Sequence, residues 1–444
     1  MVRWSSYAGA RLRRAGVAAL VAGAVALLAA CGSGTQDKSS GGSDTGAGGS
    51  AGGPKVTLTL KSITDAKVAW TPLIAAYKRV APNVTIDASY APTDQLQTAL
   101  RAQLGTGNAP DLFVDWPGNG SAMSVQQLAP SGLVADISDQ AWIKQVPAGV
   151  KPLLGAKGKT YMWSPGATPI GIIYNKQVFK DVGISDVPKT WDELLADAKK
   201  IKAAGKTPFA VGNQTPWVTQ LLPYAIAPST AFAADPNLAQ DMLDGKKSFE
   251  NSDWHTVYDR YLELYKQGLF NKSPNGTTCE QTQQLLGSGK AAMVVQVIAA
   301  MPPFLDAAKN KDDIGTFPFP AADNPDALKI PAGVDAGIAA SANGKHLAEA
   351  KKFIEWLGRT ENMASFSKAT YSIPLVGADP AKTDALLKPF APFMASNKTV
   401  PFMDQQWPNA KVQPAHFAGV QDLVAGKTDV GSLLKKLDEA YQQK

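Results

Sequence analysis

Four of the ten tryptophans stand beside prolines and outside any helical stripe: Trp116 in "DWP", Trp163 in "WSP", Trp217 in "PW" and Trp407 in "WP". Loops are where a rigid scaffold presents binding groups. An indole face there suits the apolar C–H side of a pyranose ring, while nearby Asp, Asn and Gln side chains accept from and donate to its hydroxyls. Covering about 50 Å² of apolar ring contributes on the order of 1 kcal/mol. Several such contacts, with charge-assisted hydrogen bonds, reach micromolar affinity. The blander role for these four is Pro–Trp packing that stiffens loops. Trp191, Trp254 and Trp356 fall in helical patterns among apolar neighbours and read as core, as does Trp70, whereas Trp142 fits either role.

Other chemistries find less support. The three histidines, His255, His346 and His416, include no pair at a ligand spacing, so neither a zinc site nor a Ser/His hydrolase is indicated. Gly287-Ser288-Gly289 lacks the pattern of a nucleophile elbow. Gly105-x-Gly107 closes a helix and precedes a strand, the reverse of a phosphate loop. No cofactor and no metal are expected. A carboxylate pair for glycoside hydrolysis stays open, because two acids that converge in space leave no mark on spacing.

The elements that must position such residues read as α/β. "KVTLTLKS" alternates as a strand, and Val68, Leu73, Ile74 and Tyr77 suit a helix. "NVTIDASY" is a second strand, and Asp94 to Leu104 a helix with Leu96, Leu100 and Leu104 on one face. "DLFV" is a third strand that ends at Asp115 and Trp116, where ligands of open α/β sheets bind. This order argues for a parallel sheet. Further on, Gly171 to Tyr174 reads as a strand, Thr190 and Glu193 open a helix that Gly205 ends, and "KAAMVVQVIAA" is a buried strand. "IGTFPFPA" reads as leading out of the second lobe, and "AGVDAGIAASANGK" as one strand.

With 444 residues, two lobes are the prior. The net charge of +6 is not spread over the body. Arg3, Arg11, Arg13 and Arg14 precede an apolar run from Ala15 to Ala30, and without them 40 basic residues face 38 acidic ones, so no nucleic-acid partner is expected. That run is shorter than the roughly 20 residues of a spanning helix and reads as a signal peptide. Its end, Leu28-Ala29-Ala30-Cys31-Gly32, resembles a bacterial lipobox, which implies lipid attachment at Cys31 and a surface location. The other cysteine, Cys279, then has no disulfide partner and reads as a half-buried bystander. Residues 31–53, rich in Gly and Ser, form a tether reaching roughly 25 Å.

Six segments occur in order: "GNAPDLFVDW", "IGIIYNKQVFKDVGI", "VPKTWDELLADAKKIKAAGKTPFAVG", "GSGKAAM", "GVDAGIAASANGKHLAEAKKFIEWL" and "YSIPLV". Together they resemble family 1 extracellular solute-binding proteins, the carbohydrate-capturing lipoproteins of ABC importers, to which maltose-binding protein belongs. The resemblance implies a two-lobed α/β periplasmic-binding-protein fold, with a hinge and an interlobe ligand cleft. Lobe 1 would hold residues 54–165 and 315–368, and lobe 2 residues 166–314 and 369–444. Crossings are expected near Ser164 to Thr168, Asp312 to Thr316 and Ala369. The partners implied are a mono- or oligosaccharide, ABC permease subunits and the membrane through Cys31, for a monomeric receptor fixed outside the cell.

Carried over one position at a time, the resemblance offers Thr64, Asp65, Asp115, Trp116, Trp217, Asp335 and Trp407 as ligand contacts, with Trp163, Gln296 and Tyr371 added from hinge-proximal segments. After "GKAAM" many relatives carry a glycine and a tryptophan, where this chain has Val297, Ile298 and Ala299. Two rivals to the sugar receptor remain: an anchored glycoside hydrolase, and a receptor for a non-sugar solute such as a peptide or polyamine. A polyamine site needs several acids, whereas the aromatic-plus-amide set offered here suits neutral polyols.

Overall fold

The computed structural model describes residues 53–396 and 398–443. The signal peptide, Cys31 and all but the last residue of the tether lie outside them. Two sheets organise the described chain, each with its own core.

The first sheet has the spatial order Val84–Ala91, Val56–Ile63, Leu112–Asp115, Gly337–Ala340, Met162–Trp163. Its first three strands are parallel, as the alternation of strand and helix requires. Gly337–Ala340 returns antiparallel between Leu112–Asp115 and Met162–Trp163. Helix Lys67–Val80 buries Ala69, Trp70, Leu73 and Tyr77 against this sheet. Val68, expected on that face, is about half exposed. Helix Thr93–Gly105 buries Leu96, Leu100 and Leu104 as the spacing predicts, and Gly107, at φ 71°, makes the turn that ends it. Trp70, Trp163 and Phe353 anchor the core of this lobe.

The second sheet is built on one long strand, Gly166–Asn175. Along its first half it pairs with Ile330–Val334, and along its second half with Ile314–Phe317; Ala291–Val297 lies on its other edge and carries Thr207–Phe209. Ten residues long and largely buried, it is the near-continuous apolar run expected of a strand covered on both faces. The larger core packs against it, with Trp191, Phe209, Tyr258 and Tyr261 from the middle of the chain and Trp407, Val420 and Leu433 from its end.

Two expectations need correction. Ile314–Phe317 does not leave this lobe: it is hydrogen-bonded to the long strand, and Phe317 and Phe319 are buried in the larger core. An apolar "FPFP" run has its favourable place inside a core rather than at a solvent-flanked hinge. The crossing expected at Asp312 to Thr316 therefore falls some 20 residues later. There, the single strand expected over "AGVDAGIAASANGK" is two strands in different sheets, Ile330–Val334 and Gly337–Ala340, separated by Asp335 and Ala336. After Phe366, which packs in the first core, Ile373–Pro374 pairs with the start of the long strand, Leu375 and Val376 return to the first core, and Leu387 and Phe390 enter a satellite cluster with Ile173 and Phe304.

Gly337 starts the strand that places Asp335 and Ala336, and it lies against the Trp163 carbonyl so closely that a methyl group would collide with it. Gly337→Ala is expected to lower the unfolding free energy by about 3 kcal/mol. Urea denaturation measures this, and an unchanged midpoint would contradict the close approach.

Candidate functional site

A concavity lies between the lobes; counted with its open mouth it spans about 1230 Å³. The lobe built on the first sheet contributes Asp65 from the turn after the first strand, Trp70 from helix Lys67–Val80, Asp94 and Gln97 from the first turns of helix Thr93–Gly105, and Trp116 beyond strand Leu112–Asp115. The other lobe contributes Trp217 and Gln220 from the turn Pro216–Gln220, Tyr224 from helix Leu221–Ile226, Asp404 and Gln405 from the turn Met403–Gln406, and Gln413 and Phe417 from helix Val412–Val424. Asp335 lies on the passage between the lobes.

The lobes touch at the rim. Gly118 and Gly120 lie so close to the backbone of Gln405 and Asp404 that a Cβ at either position would overlap it. Between them, the Asn119 side-chain amide donates to the Pro408 carbonyl, and its oxygen accepts from Gln127 at 2.6 Å. Deeper in, Gln405 donates to the Val334 carbonyl at 2.7 Å, and Gln413 bridges Asp404 and Gln220 at 3.3 and 3.2 Å.

Of the ten ligand positions offered by the sequence, Asp65, Trp116, Trp217 and Asp335 line the cavity. The other six do not. Asp115 is fully buried behind its wall, one carboxylate oxygen taking the Trp116 N–H at 2.8 Å and the other having no partner. Trp163 is fully buried one row back, 6.1 Å from Trp70 and 5.4 Å from Phe366, both of which face the cavity. Trp407 backs Tyr224 edge-on at 6.0 Å and borders a separate small void with Phe232, Met242 and Trp254. Gln296 is buried, turned toward the Cys279 sulfur at 3.7 Å, and its oxygen accepts the Val297 N–H. Thr64 points to solvent from the same tight turn that aims Asp65 inward. Tyr371, at a left-handed φ of 48°, packs its ring on the satellite cluster. Cys279 is buried rather than half-buried, and burial pushes its thiol well up, so it is not a reactive group.

Sequence reasoning did not pick out Asp94, Gln97, Tyr224, Asp404, Gln405 and Gln413. Asp94 reads equally well as an acid placed for a helix N-terminus, and nothing in "FMDQQW" distinguishes Asp404 from a loop acid. The one available signal was amide and acid density next to Trp407, two residues from Gln405.

The electrostatics of the cavity are one-sided. Asp65, Asp94, Asp335 and Asp404 line it, and among the described residues no Lys, Arg or His does. Burial lifts the Asp335 carboxyl to about 7, against the pull of the Ala336 N–H it accepts. Burial also lifts Asp404 to about 6, although hydrogen bonds from its own and the Gln405 backbone favour the charge. Asp65 and Asp94 rise to about 6 through burial first and the negative field of Glu280, on the opposite lobe, second. The buried Tyr224 hydroxyl lies beside Asp404 without a hydrogen bond of good geometry, and burial and that neighbour push it up. Among the described residues no three His, Cys, Asp or Glu side chains are grouped as metal ligands.

An interlobe cavity with aromatic faces, amides and carboxylates from both sides defines a solute-binding protein. Residues 61–364 match the family model described as bacterial extracellular solute-binding protein, and the chain belongs to that family. The sequence is 26% identical to the multiple sugar-binding protein of Streptococcus mutans over 342 residues, 76% of this chain and 78% of that one. It is likewise 26% identical over 330 residues, 68% and 73% of the two chains, to the sn-glycerol-3-phosphate-binding periplasmic protein UgpB of Escherichia coli K12. In fold it is similar to a solved chitin oligosaccharide binding protein, with a TM-score of 0.75 at 22% identity, covering 88% of this chain and 98% of the other. The resemblance and the two-lobed α/β fold read from the sequence are thus borne out.

The raised Asp335 has a consequence for stability. Its folded pKa, about 7, exceeds the unfolded value near 3.9. The buried charge therefore opposes folding fully above pH 7, and this opposition fades as pH falls toward 4. Asp335→Asn is expected to stabilise the protein by up to about 4 kcal/mol at pH 8 and to leave it unchanged near pH 4. Thermal melts at the two pH values measure this, and an equal shift at both would contradict a buried carboxylate.

Proposed function

We propose that this chain is an extracellular saccharide receptor for an ABC importer, anchored through lipid at Cys31, which captures its ligand between the lobes and presents the closed form to the permease. The observation that carries the reading is the placement of Trp116 on one lobe and Trp217 on the other, around one cavity that also holds amides and carboxylates. Aromatic faces stack on sugar rings, and the polar groups exchange hydrogen bonds with hydroxyls. A ligand that touches both lobes favours the closed arrangement by its differential affinity for it, and nothing else can drive closure.

The relative named for multiple sugars and the relative named for sn-glycerol-3-phosphate suggest different ligands. The charge of the cavity favours the first. A phosphate dianion needs a cation or a row of backbone N–H donors, whereas here four carboxylates would meet it. Val297 and Ala299, which stand where many relatives carry glycine and tryptophan, line the cavity as small walls. They remove one stacking platform and widen that end of the cleft. The role is binding, not turnover: the acids belong to a receptor family and touch hydroxyls in this reading.

Calorimetric titration of the purified protein with neutral and aminated mono-, di- and trisaccharides tests this. One of them is expected to bind at micromolar Kd or better and to be recovered chemically intact, and Trp217→Ala is expected to weaken it about tenfold, near 1.4 kcal/mol. Failure of the whole panel to bind folded, ligand-free protein, or hydrolysis of the bound sugar, would overturn the reading.

A further inference from the structure

The cavity carries more negative charge than hydroxyl binding alone requires. Asp65 and Asp94 come from one lobe, Asp404 from the other, and Asp335 from the passage between them. Among the described residues none of the four is in a salt bridge, and no basic side chain lines the space they share. Charges withdrawn from water are ordinarily paired. The charged neighbour that raises both Asp65 and Asp94 is another acid, Glu280, across the cleft. Bringing the lobes together therefore pushes like charges toward each other, and a neutral ligand does nothing to relieve that.

Beside Asp404, the Tyr224 side chain is 1% exposed and lines the cavity, with its hydroxyl in no hydrogen bond of good geometry. A buried hydroxyl left unmade is a destabilising feature that a bound polar group would remove. The surrounding rings of Trp116 and Trp217, one from each lobe, present faces whose quadrupole attracts a cation. A small inorganic cation does not fit these facts, because no three acids are grouped to coordinate one among the described residues. A flexible polyamine would use the acids and the ring faces but leave the amide of Gln97, an acceptor and donor suited to hydroxyls, without a role.

We infer that the preferred ligand is a saccharide bearing a protonated amine, an amino sugar or a short oligomer of one, whose ammonium group is held among the cleft carboxylates while its ring stacks on the tryptophans. This rests on the receptor reading above and narrows it. The ligand then supplies the positive charge that the protein lacks, so that closure is favoured by the amine as well as by the ring. Release follows the same logic: raising the salt concentration, or protonating Asp335 as the pH falls through about 7 and Asp65, Asp94 and Asp404 through about 6, weakens the hold on the amine.

The test compares sugars that differ in one group. Glucosamine and glucose, galactosamine and galactose, mannosamine and mannose, and chitobiose and cellobiose are titrated in pairs at about pH 7 and low salt, with spermidine alongside. In whichever skeleton binds, the aminated member is expected to bind at least tenfold more tightly, with the advantage shrinking severalfold between about 20 mM and about 500 mM salt. Asp335→Asn and Asp404→Asn, each checked for folding by circular dichroism, are expected to reduce the ratio of the paired affinities about fivefold. The salt series needs no variant and stands if either fails to fold. Equal affinities within the pairs, or preference for the neutral sugar, would overturn the amine while leaving the receptor reading intact. Binding of spermidine without any saccharide, or no binding at all, would overturn both.

Discussion

The structure depends on how three passages of chain between two sheets are knitted together at Gly166. Asp335 N–H donates to the Gly166 carbonyl at 2.9 Å, the Ser164 hydroxyl donates to the Asp335 carbonyl at 2.8 Å, and Ile373 pairs with Ala167. A side chain at Gly166 would strike the Ile373 carbonyl, just as one at Gly337 would strike that of Trp163. Only glycine permits backbones to approach this closely. Because the passages are bonded to one another, Asp335 is fixed on the cavity wall by main-chain bonds on both sides, and the lobes meet across a cleft whose floor is already ordered.

From that floor the two rims converge. Gly118 and Gly120 let one lobe lie directly on the backbone of Asp404 and Gln405 of the other, so the same turn that seals the cleft also supplies an acid to its interior. One short segment thus both meets the other lobe and lines the cavity. Burial of the acids opposes this arrangement while the cleft is empty and favours whatever ligand satisfies them, which is the differential preference that a closing receptor requires.

Much of this was legible in the sequence, for identifiable reasons. The periodicities of Val56–Ile63, Thr93–Gly105 and Leu112–Asp115 gave the parallel unit, and with it the position of Trp116 beyond a strand end, which answers why an acid and a tryptophan sit together there. Asp115 takes the last buried position of the strand and holds the Trp116 N–H, while Trp116 steps out to the ligand side. What sequence could not show is depth. Trp163 and Trp407 carry the same proline-flanked signature as Trp116 and Trp217 but lie one row behind the surface, because "beside a proline and off a helix" says nothing of which face a ring takes. Asp94, Tyr224 and Asp404 went unnoticed because each has an ordinary local role, and only the meeting of distant segments makes them neighbours. The misplaced crossing has a similar origin: Phe317 and Phe319 look like the start of an exit, yet their apolar rings belong in the larger core.

The central claim is that a saccharide is held between the lobes by aromatic faces from each. A crystal structure of the protein with its tightest-binding sugar tests it most directly. The account predicts a ring within the interlobe cavity, in contact with Trp116 on one side and Trp217 on the other, with a polar group on Asp335. A sugar seated on one lobe alone, or in the surface groove near Tyr77, Val80 and Trp356, would contradict it.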